Sequence, residues 1–331
     1  MTGIHCSAPG RCGIIGNPTD MYGGAVISCT VPFRAHASVT PCDGLLLETA
    51  GVTFEVRTED DLRLRGDLFD VARSVLDYIR TDQLHCRIRY SSEIPMGSGV
   101  SSSTALTVAI LAALLRYQGH DYSHYRIAEL ARYTELNHLR IICGYQDAYM
   151  CTFGGLNYMD FRGKAFYRHA AEELYATVEP LDRYVPHLPM LLAHTGQQHS
   201  SDAVHRPLRE RWLEGDREVR DGYEQITRLA QEGKKALLLQ EWPRLGRLMN
   251  ENHAIQRALG GSGEANEQLI RRALAHGSWG AKLAGAGGGG TIIALHPDPP
   301  ALEQALHKEG VELTFPPRPV PGVCYSEEAA S

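Results

Sequence analysis

Between Leu84 and Tyr90 apolar and polar side chains alternate, with Leu84, Cys86, Ile88 and Tyr90 on one side, as a half-buried strand requires. Ala105 to Leu115 is apolar at nearly every position and predicts a helix buried on most sides. Short alternating runs from Val31 to Val56, broken by Pro41, Asp43 and Gly51, predict antiparallel strands. Asp67 to Asp82 repeats Leu68, Val71, Ala72, Val75, Leu76 and Ile79 at helical spacing, with Asp67 placed to cap it. A helix over Tyr125 to Ile142 carries Ile127, Ala131, Glu135, His138 and Ile142 on one stripe, which puts a carboxylate on the buried face. Further on, Leu188 to Ala193 reads as a buried strand ending in a polar loop, Thr195 to Asp202. Ile226 to Leu239 and Leu245 to Leu259 read as amphipathic helices, the second stopping at Gly260-Gly261. Pro180, Pro186 and Pro189, with Asp182 and Arg183, mark a boundary that divides the chain into 1–186 and 187–331.

With 331 residues and 43% hydrophobic content, the chain is large enough for two domains sharing an interface. A net charge of -6 argues against a nucleic-acid surface, which needs clustered Lys and Arg. No stretch reaches the roughly 20 apolar residues of a membrane helix, and the start lacks an apolar signal region. The eight cysteines contain no C-x-x-C pair, so neither zinc nor a disulfide frame is expected, and a reducing cytoplasm suits them.

Chemistry enters at Ser91 to Thr104, where a strand turns into a helix through glycines and hydroxyls. Gly97 and Gly99 accept positive φ, and Ser101, Ser102 and Ser103 are natural N-caps. A helix start presents unpaired N–H groups and the positive end of its dipole, a ready site for phosphate. A capped turn that binds nothing competes with this reading. No Lys follows Gly99, so the stretch is not G-x-x-x-x-G-K-[ST], and the third glycine of G-x-G-x-x-G is missing. The absence of a βαβ opening also argues against a nicotinamide oxidoreductase. Asp20 sits at the tip between two strand-like runs in Ala8 to Ser28, and Asp147 follows the helix-ending Gly144 and precedes an apolar strand. Each could be a simple turn residue. Glu135 is costly on a buried face unless paired or bound to metal. Gly287 to Gly290 run straight into an apolar strand, where a flexible linker would gain nothing and close backbone approach would.

Pro95 to Thr104 resembles the second motif of the GHMP kinases, P-x-x-x-G-L-G-S-S-A, with Val100, Ser101 and Thr104 replacing Leu, Gly and Ala. Ala8 to Gly24 resembles the first motif, with Asn17-Pro18 where galactokinases carry Glu-His. Lys282 to Thr291 resembles the third, K-x-x-G-A-G-x-G-G-C, with Thr291 for Cys. The three stand in family order. The resemblance implies an α+β fold of two domains, N-terminal and C-terminal, with the active site between them and with ATP and Mg²⁺ as cofactors. It assigns the ATP phosphates to Pro95, Gly97, Ser98, Gly99, Val100, Ser101, Ser102 and Ser103, and Mg²⁺ to Ser103 and Glu135. It makes Asp147 the catalytic residue that orients or deprotonates the sugar hydroxyl, supported by Arg11 and Lys282, and gives the sugar to Asn17 and Asp20. It also places Gly285, Gly287 and Gly288 in a loop beside the phosphates.

Three stretches narrow the resemblance to the glucuronokinases, with heptose kinases next: G-N-P-T-D at Gly16 to Asp20, G-Y-Q-D with the following G-G-L and M-D-F, and Val204 to Asp216. Arg209 and Arg211 in the last could read a uronate through bidentate hydrogen bonds, or could be surface arginines on a charged helix. The implied reaction converts glucuronic acid and ATP into glucuronic acid 1-phosphate. The alternatives are a heptose or other neutral-sugar kinase, and a sensor that binds sugar or nucleotide without catalysis. Partners are then ATP and a sugar or sugar acid, with no nucleic acid or membrane, in a monomer or homodimer.

Overall fold

A computed structural model describes residues 3–79, 84–95, 97–164, 174–197 and 201–328. Met96 of the glycine loop, Arg80 to Asp82 at the end of the first expected helix and Gln198 to Ser200 of the expected polar loop lie outside them.

Two long strands, β1 (Gly3–Ile15) and β2 (Ala25–Pro41), pair antiparallel around a short 3-10 turn at Thr19–Tyr22. β3 (Leu45–Thr49), β4 (Val52–Val56), helix α1 (Asp70–Ile79) and β5 (Cys86–Ser92) follow. Next come α2 (Ser102–Tyr117), α3 (His124–Asn137), α4 (Gln146–Phe153), β6 (Leu156–Asp160) and β7 (Thr177–Pro180). The second part holds β8 (Met190–His194), α5 (Ser201–Glu214), α6 (Arg217–Leu238), α7 (Trp242–Ala258) and α8 (Glu264–Ala275). It continues through β9 (Gly280–Leu283), β10 (Thr291–Leu295), α9 (Pro299–Lys308) and β11 (Thr314–Phe315), and the last strand is β12 (Cys324–Glu328).

The strands make two sheets. The first runs β12-β1-β2-β5-β3-β4, with β6 on β2 and β7 on β6; the second runs β11-β8-β10-β9. The change of sheet between β7 and β8 falls where the prolines cluster. β12 departs from a simple division at 186, because the chain end crosses back and pairs with β1 from Gly3 to Ser7.

α2 is the axis of the first core. Every residue from Thr104 to Leu115 is buried, packed against β1 and β2. Each large aliphatic side chain so buried contributes about 1.5–3 kcal/mol. α8 and α9 cover the second sheet through Leu269, Ile270, Ala273, Leu302 and Leu306 against Leu191, Ile292 and Ala294.

Several elements differ from the pattern reading. β3 and β4 pair antiparallel as the alternation predicts, and β3 additionally pairs parallel to β5, because α1 intervenes as a crossover between β4 and β5. α3 stops at Asn137, after which Arg140 takes a left-handed backbone (φ 60°), so residues 138–145 form a loop rather than a last helical turn. The apolar run after Asp147 is helix α4, not a strand. All eight cysteines are free thiols. Among the described residues no helix is long and apolar enough to cross a membrane.

Candidate active site

A cavity of about 390 Å³ opens between the two parts of the chain. From the first part come Arg11 on β1, Asn17, Pro18 and Asp20 at the turn, the glycine loop and start of α2, Glu135 on α3, and the loop leading into α4 with Asp147. The second part supplies His205, Gly285 and Ala286.

Asp147 sits in the first turn of α4, where the dipole favours a carboxylate. Arg11 holds it with a two-pronged grip, Nε to Oδ1 at 2.7 Å and Nη2 to Oδ2 at 2.8 Å. The remaining arm of the guanidinium donates to the carbonyls of Gly99 (2.9 Å) and Ala284 (3.4 Å). One side chain thereby joins the catalytic candidate, the phosphate loop and the third motif. Ser101 adds a hydroxyl to Asp147 Oδ2 at 2.8 Å. That contact corrects its expected role as a side-chain cap. Ser101 is the N-cap of α2 but lies at φ 67°, ψ 40°, and its Oγ turns to Asp147 instead of the helix N–H groups.

Glu135 is 3% exposed and pairs with hydroxyls alone: Thr104 Oγ1 reaches Oε1 at 3.0 Å and Oε2 at 2.9 Å, and Ser103 Oγ reaches Oε1 at 3.3 Å. Burial, reinforced by the nearby charge of Asp147, pushes its carboxyl up to about 8. The donors at this spot are hydroxyl and carboxylate oxygens beside a phosphate-type loop, the set that suits Mg²⁺, which takes one or two protein oxygens and completes its shell with phosphates and water. A cation here would restore the ionised form of Glu135 that burial disfavours.

Asp20 is 5% exposed, and its Oδ2 accepts from the N–H groups of Tyr145 (2.7 Å) and Gln146 (2.9 Å). It therefore satisfies the start of α4, the helix that carries Asp147. Burial raises its pKa, opposed by those N–H donors. Gly144 is obligatory for this approach, since a Cβ there would lie 1.9 Å from Asp20 Oδ2.

Other predicted residues divide cleanly. Gly97, Gly99, Ser101, Ser102 and Ser103 line the cavity, whereas Pro95, Ser98 and Val100 do not. Ser98 donates its hydroxyl to the Pro95 carbonyl at 2.6 Å to shape the turn, and Val100 is a core side chain whose carbonyl accepts from Arg11 N–H at 3.1 Å. Gly285 lines the cavity, and a Cβ on it would stand 2.5 Å from Gly99 O. Gly287 and Gly288 lie farther back: Gly287 packs against the Gly261 carbonyl and Gly288 against Val204. Thr291 binds the loops together by donating to Ser98 O at 2.7 Å.

Lys282 does not line the cavity. It is fully buried behind Asn17, donating to Asn17 Oδ1 at 2.7 Å and to Leu283 O at 2.5 Å, while Asn17 Nδ2 donates to Gly285 O at 3.2 Å. Burial lowers its pKa to about 7. Its place makes it a positioning residue for the Asn17 turn. Arg209 and Arg211 also lie outside the lining. Arg211 is held in ion pairs with Asp216 (2.7 Å) and Glu218 (2.8 Å), a brace between α5 and α6, and Arg209 sits near the Tyr22 hydroxyl. The surface-arginine reading therefore describes Arg211.

Thr104, Gly144 and His205 are motif residues without a site role in the sequence reading, and they line this cavity. Thr104 was visible only as a hydroxyl following Ser103 at a position where the motif has Ala.

Residues 68–155 match the GHMP kinases N terminal domain, and residues 234–308 match GHMP kinases C terminal. The "Probable glucuronokinase 2" of Arabidopsis thaliana is 30% identical over 336 residues, covering 94% of this chain and 89% of that protein. A mevalonate kinase of Pyrococcus horikoshii is 28% identical, covering 89% of each. Among solved structures, a D-glycero-D-manno-heptose 1-phosphate kinase from Bacteroides thetaiotaomicron superposes with a TM-score of 0.73 at 20% identity, over 99% of this chain and all of the other. The fold and the relatives define a small-molecule kinase. The chain belongs to the GHMP kinase family.

Proposed function

We propose that the protein transfers the γ-phosphoryl group of ATP to a hydroxyl of a small sugar acid, with glucuronic acid giving glucuronic acid 1-phosphate as the leading case. The observation that carries the phosphoryl-transfer reading is the Arg11–Asp147–Ser101 cluster, set between a helix start suited to phosphates and Glu135. Such a transfer needs positioning and charge neutralisation more than covalent help. Gly97, Gly99 and the first residues of α2 hold the triphosphate, and Ser103 with Glu135 holds Mg²⁺. When bound, Mg²⁺ neutralises charge on the transferred group. Asp147 accepts the hydrogen bond of the attacking hydroxyl and orients it, or takes its proton. Arg11 keeps the carboxylate in one place, and Asp20 offers its remaining oxygen to another sugar hydroxyl.

The similarity to a glucuronokinase over nearly the whole chain supports the sugar acid, as does the G-N-P-T-D turn that carries Asp20. The mevalonate kinases lie close behind in identity, so the acceptor is decided by assay. The assay is ADP release from Mg·ATP with glucuronic acid, galacturonic acid, galactose, a heptose and mevalonate side by side. Selective turnover of a uronic acid is expected. Preference for a neutral sugar or for mevalonate keeps the kinase and removes the uronate, and tight ATP binding with no turnover of any acceptor indicates a sensor.

A further inference from the structure

We infer that Asn252 on α7 is a positioning residue for the acceptor, a role that rests on the reading above that the Gly16–Asp20 turn holds the acceptor through Asp20. Its side chain is fully buried, and its Oδ1 accepts the Gly16 N–H at 2.9 Å across 236 positions of chain. The other arm, Nδ2, donates to Gln256 Oε1 at 3.2 Å. Gly16 leaves β1 at φ 101°, and its carbonyl accepts from the Thr19 N–H (3.0 Å) and from Thr19 Oγ1 (2.8 Å). With Asn252 on the N–H, both backbone polar groups of Gly16 are fixed, and the turn leaves the strand in one direction.

α7 reaches the next residue of the turn by a second route. Asn250 grips β9 on both sides, donating to the Trp279 carbonyl at 3.2 Å and accepting the Ala281 N–H at 2.9 Å. Gly246 lets the helix lie close on that segment, since a Cβ there would stand 2.5 Å from the Trp279 carbonyl carbon. β9 carries Lys282, which donates to Asn17 Oδ1. One helix of the second part thus holds Gly16 directly and Asn17 through β9, and three residues later the same turn brings Asp20 to the cavity wall. Loss of the Asn252 oxygen leaves a buried N–H unpaired, a penalty worth about tenfold to a hundredfold in an equilibrium. The turn relieves that penalty by shifting, and the acceptor then meets Asp20 out of place.

The test measures KM for ATP and for the member of the acceptor panel above that is turned over fastest, in wild type, Asn252→Leu, Asn252→Ala and Asn252→Asp. Leu fills the space of the amide and Ala leaves it open, and neither offers an oxygen to Gly16. Both are expected to raise KM for the acceptor about tenfold while KM for ATP stays within about twofold. Asn252→Asp keeps an oxygen for the Gly16 N–H and is expected to recover most of the loss, which a merely structural role for the side chain would not require. An unchanged acceptor KM in the Leu and Ala variants, or an equal rise in both KM values, would overturn the role of Asn252. Asp20→Asn, measured beside them, separates the two readings. If it raises the acceptor KM and Asn252→Leu does not, the role of Asn252 falls alone; if neither raises it, the turn does not hold the acceptor and both readings fall.

Discussion

Arg11 and Asp147, 136 positions apart in the chain, meet through both oxygens of one carboxylate and two nitrogens of one guanidinium. A planar fork is required for that geometry, and an ammonium cannot reproduce it. Arg11→Lys is therefore expected to lower kcat by roughly 10²-fold, the scale of a misplaced reacting group, while nucleotide affinity changes only a few-fold. Steady-state kinetics with isothermal titration of a nucleotide analogue measures both. An Arg11→Lys enzyme of normal kcat would mean the fork is not what places Asp147.

Glu135 links the site to stability. Its folded pKa, about 8, lies above its ordinary value of 4.5, so the folded state holds a proton that the unfolded state has lost between those pH values. Stability from this group is present below about 4.5 and is lost as pH rises through about 8. Glu135→Gln should match the parent in thermal unfolding at pH 4.5, exceed it increasingly up to pH 8, and keep a constant lead above that. Its turnover should fall sharply at every pH, since a neutral amide is a poor ligand for Mg²⁺. A lead that shrinks as pH rises would contradict the burial of this carboxylate.

Lys282 behaves in the opposite sense. Its ammonium is buried against two neutral oxygens, and its pKa falls from 10.5 to about 7. Stability from this group is present above about 10.5 and lost as pH falls through about 7. Lys282→Met should thus be more thermostable than the parent at pH 6, with the gap closing toward pH 10.5. Because Asn17 loses its anchor, KM for the acceptor should rise while KM for ATP holds. Equal changes in both KM values would argue that Lys282 positions the whole site rather than the Asn17 turn.

Much of this was readable before any coordinates. The strand-to-helix step at Ser91 to Thr104 and the carboxylate on the α3 stripe follow from periodicity, and Asp20 and Asp147 from motifs whose spacing survives substitution. What escaped is what depends on contacts between distant segments. Ser101 reads as a cap until Asp147 is 2.8 Å away, and Lys282 reads as catalytic until Asn17 stands between it and the cavity. Arg211 shows the same limit, because its acidic partners lie within seven positions and satisfy it locally. The return of β12 to β1 has no sequence signal, since a short strand at a chain end is recognisable only by the edge it covers.

Gly285 tests the contact between the third motif and the phosphate loop. A Cβ there would lie 2.5 Å from Gly99 O, the same carbonyl that accepts from Arg11. Gly285→Ala must move backbone, at a cost of about 1–3 kcal/mol in stability, and it disturbs the Arg11 contact as well. A lower melting temperature together with weaker nucleotide binding is expected from differential scanning fluorimetry with and without ATP. Unchanged values for both would show that the two loops separate in solution.

Asp147→Asn bears on the account most directly. The amide keeps the size of the side chain but lacks the charge that grips Arg11 and the basicity that orients or deprotonates the acceptor hydroxyl. Measured as ADP release beside nucleotide binding on the same preparation, the variant should bind Mg·ATP within a few-fold of wild type and lose about 10²–10⁴-fold in kcat. Turnover near the wild-type value, with binding intact, would remove Asp147 from the chemistry and with it the proposed mechanism.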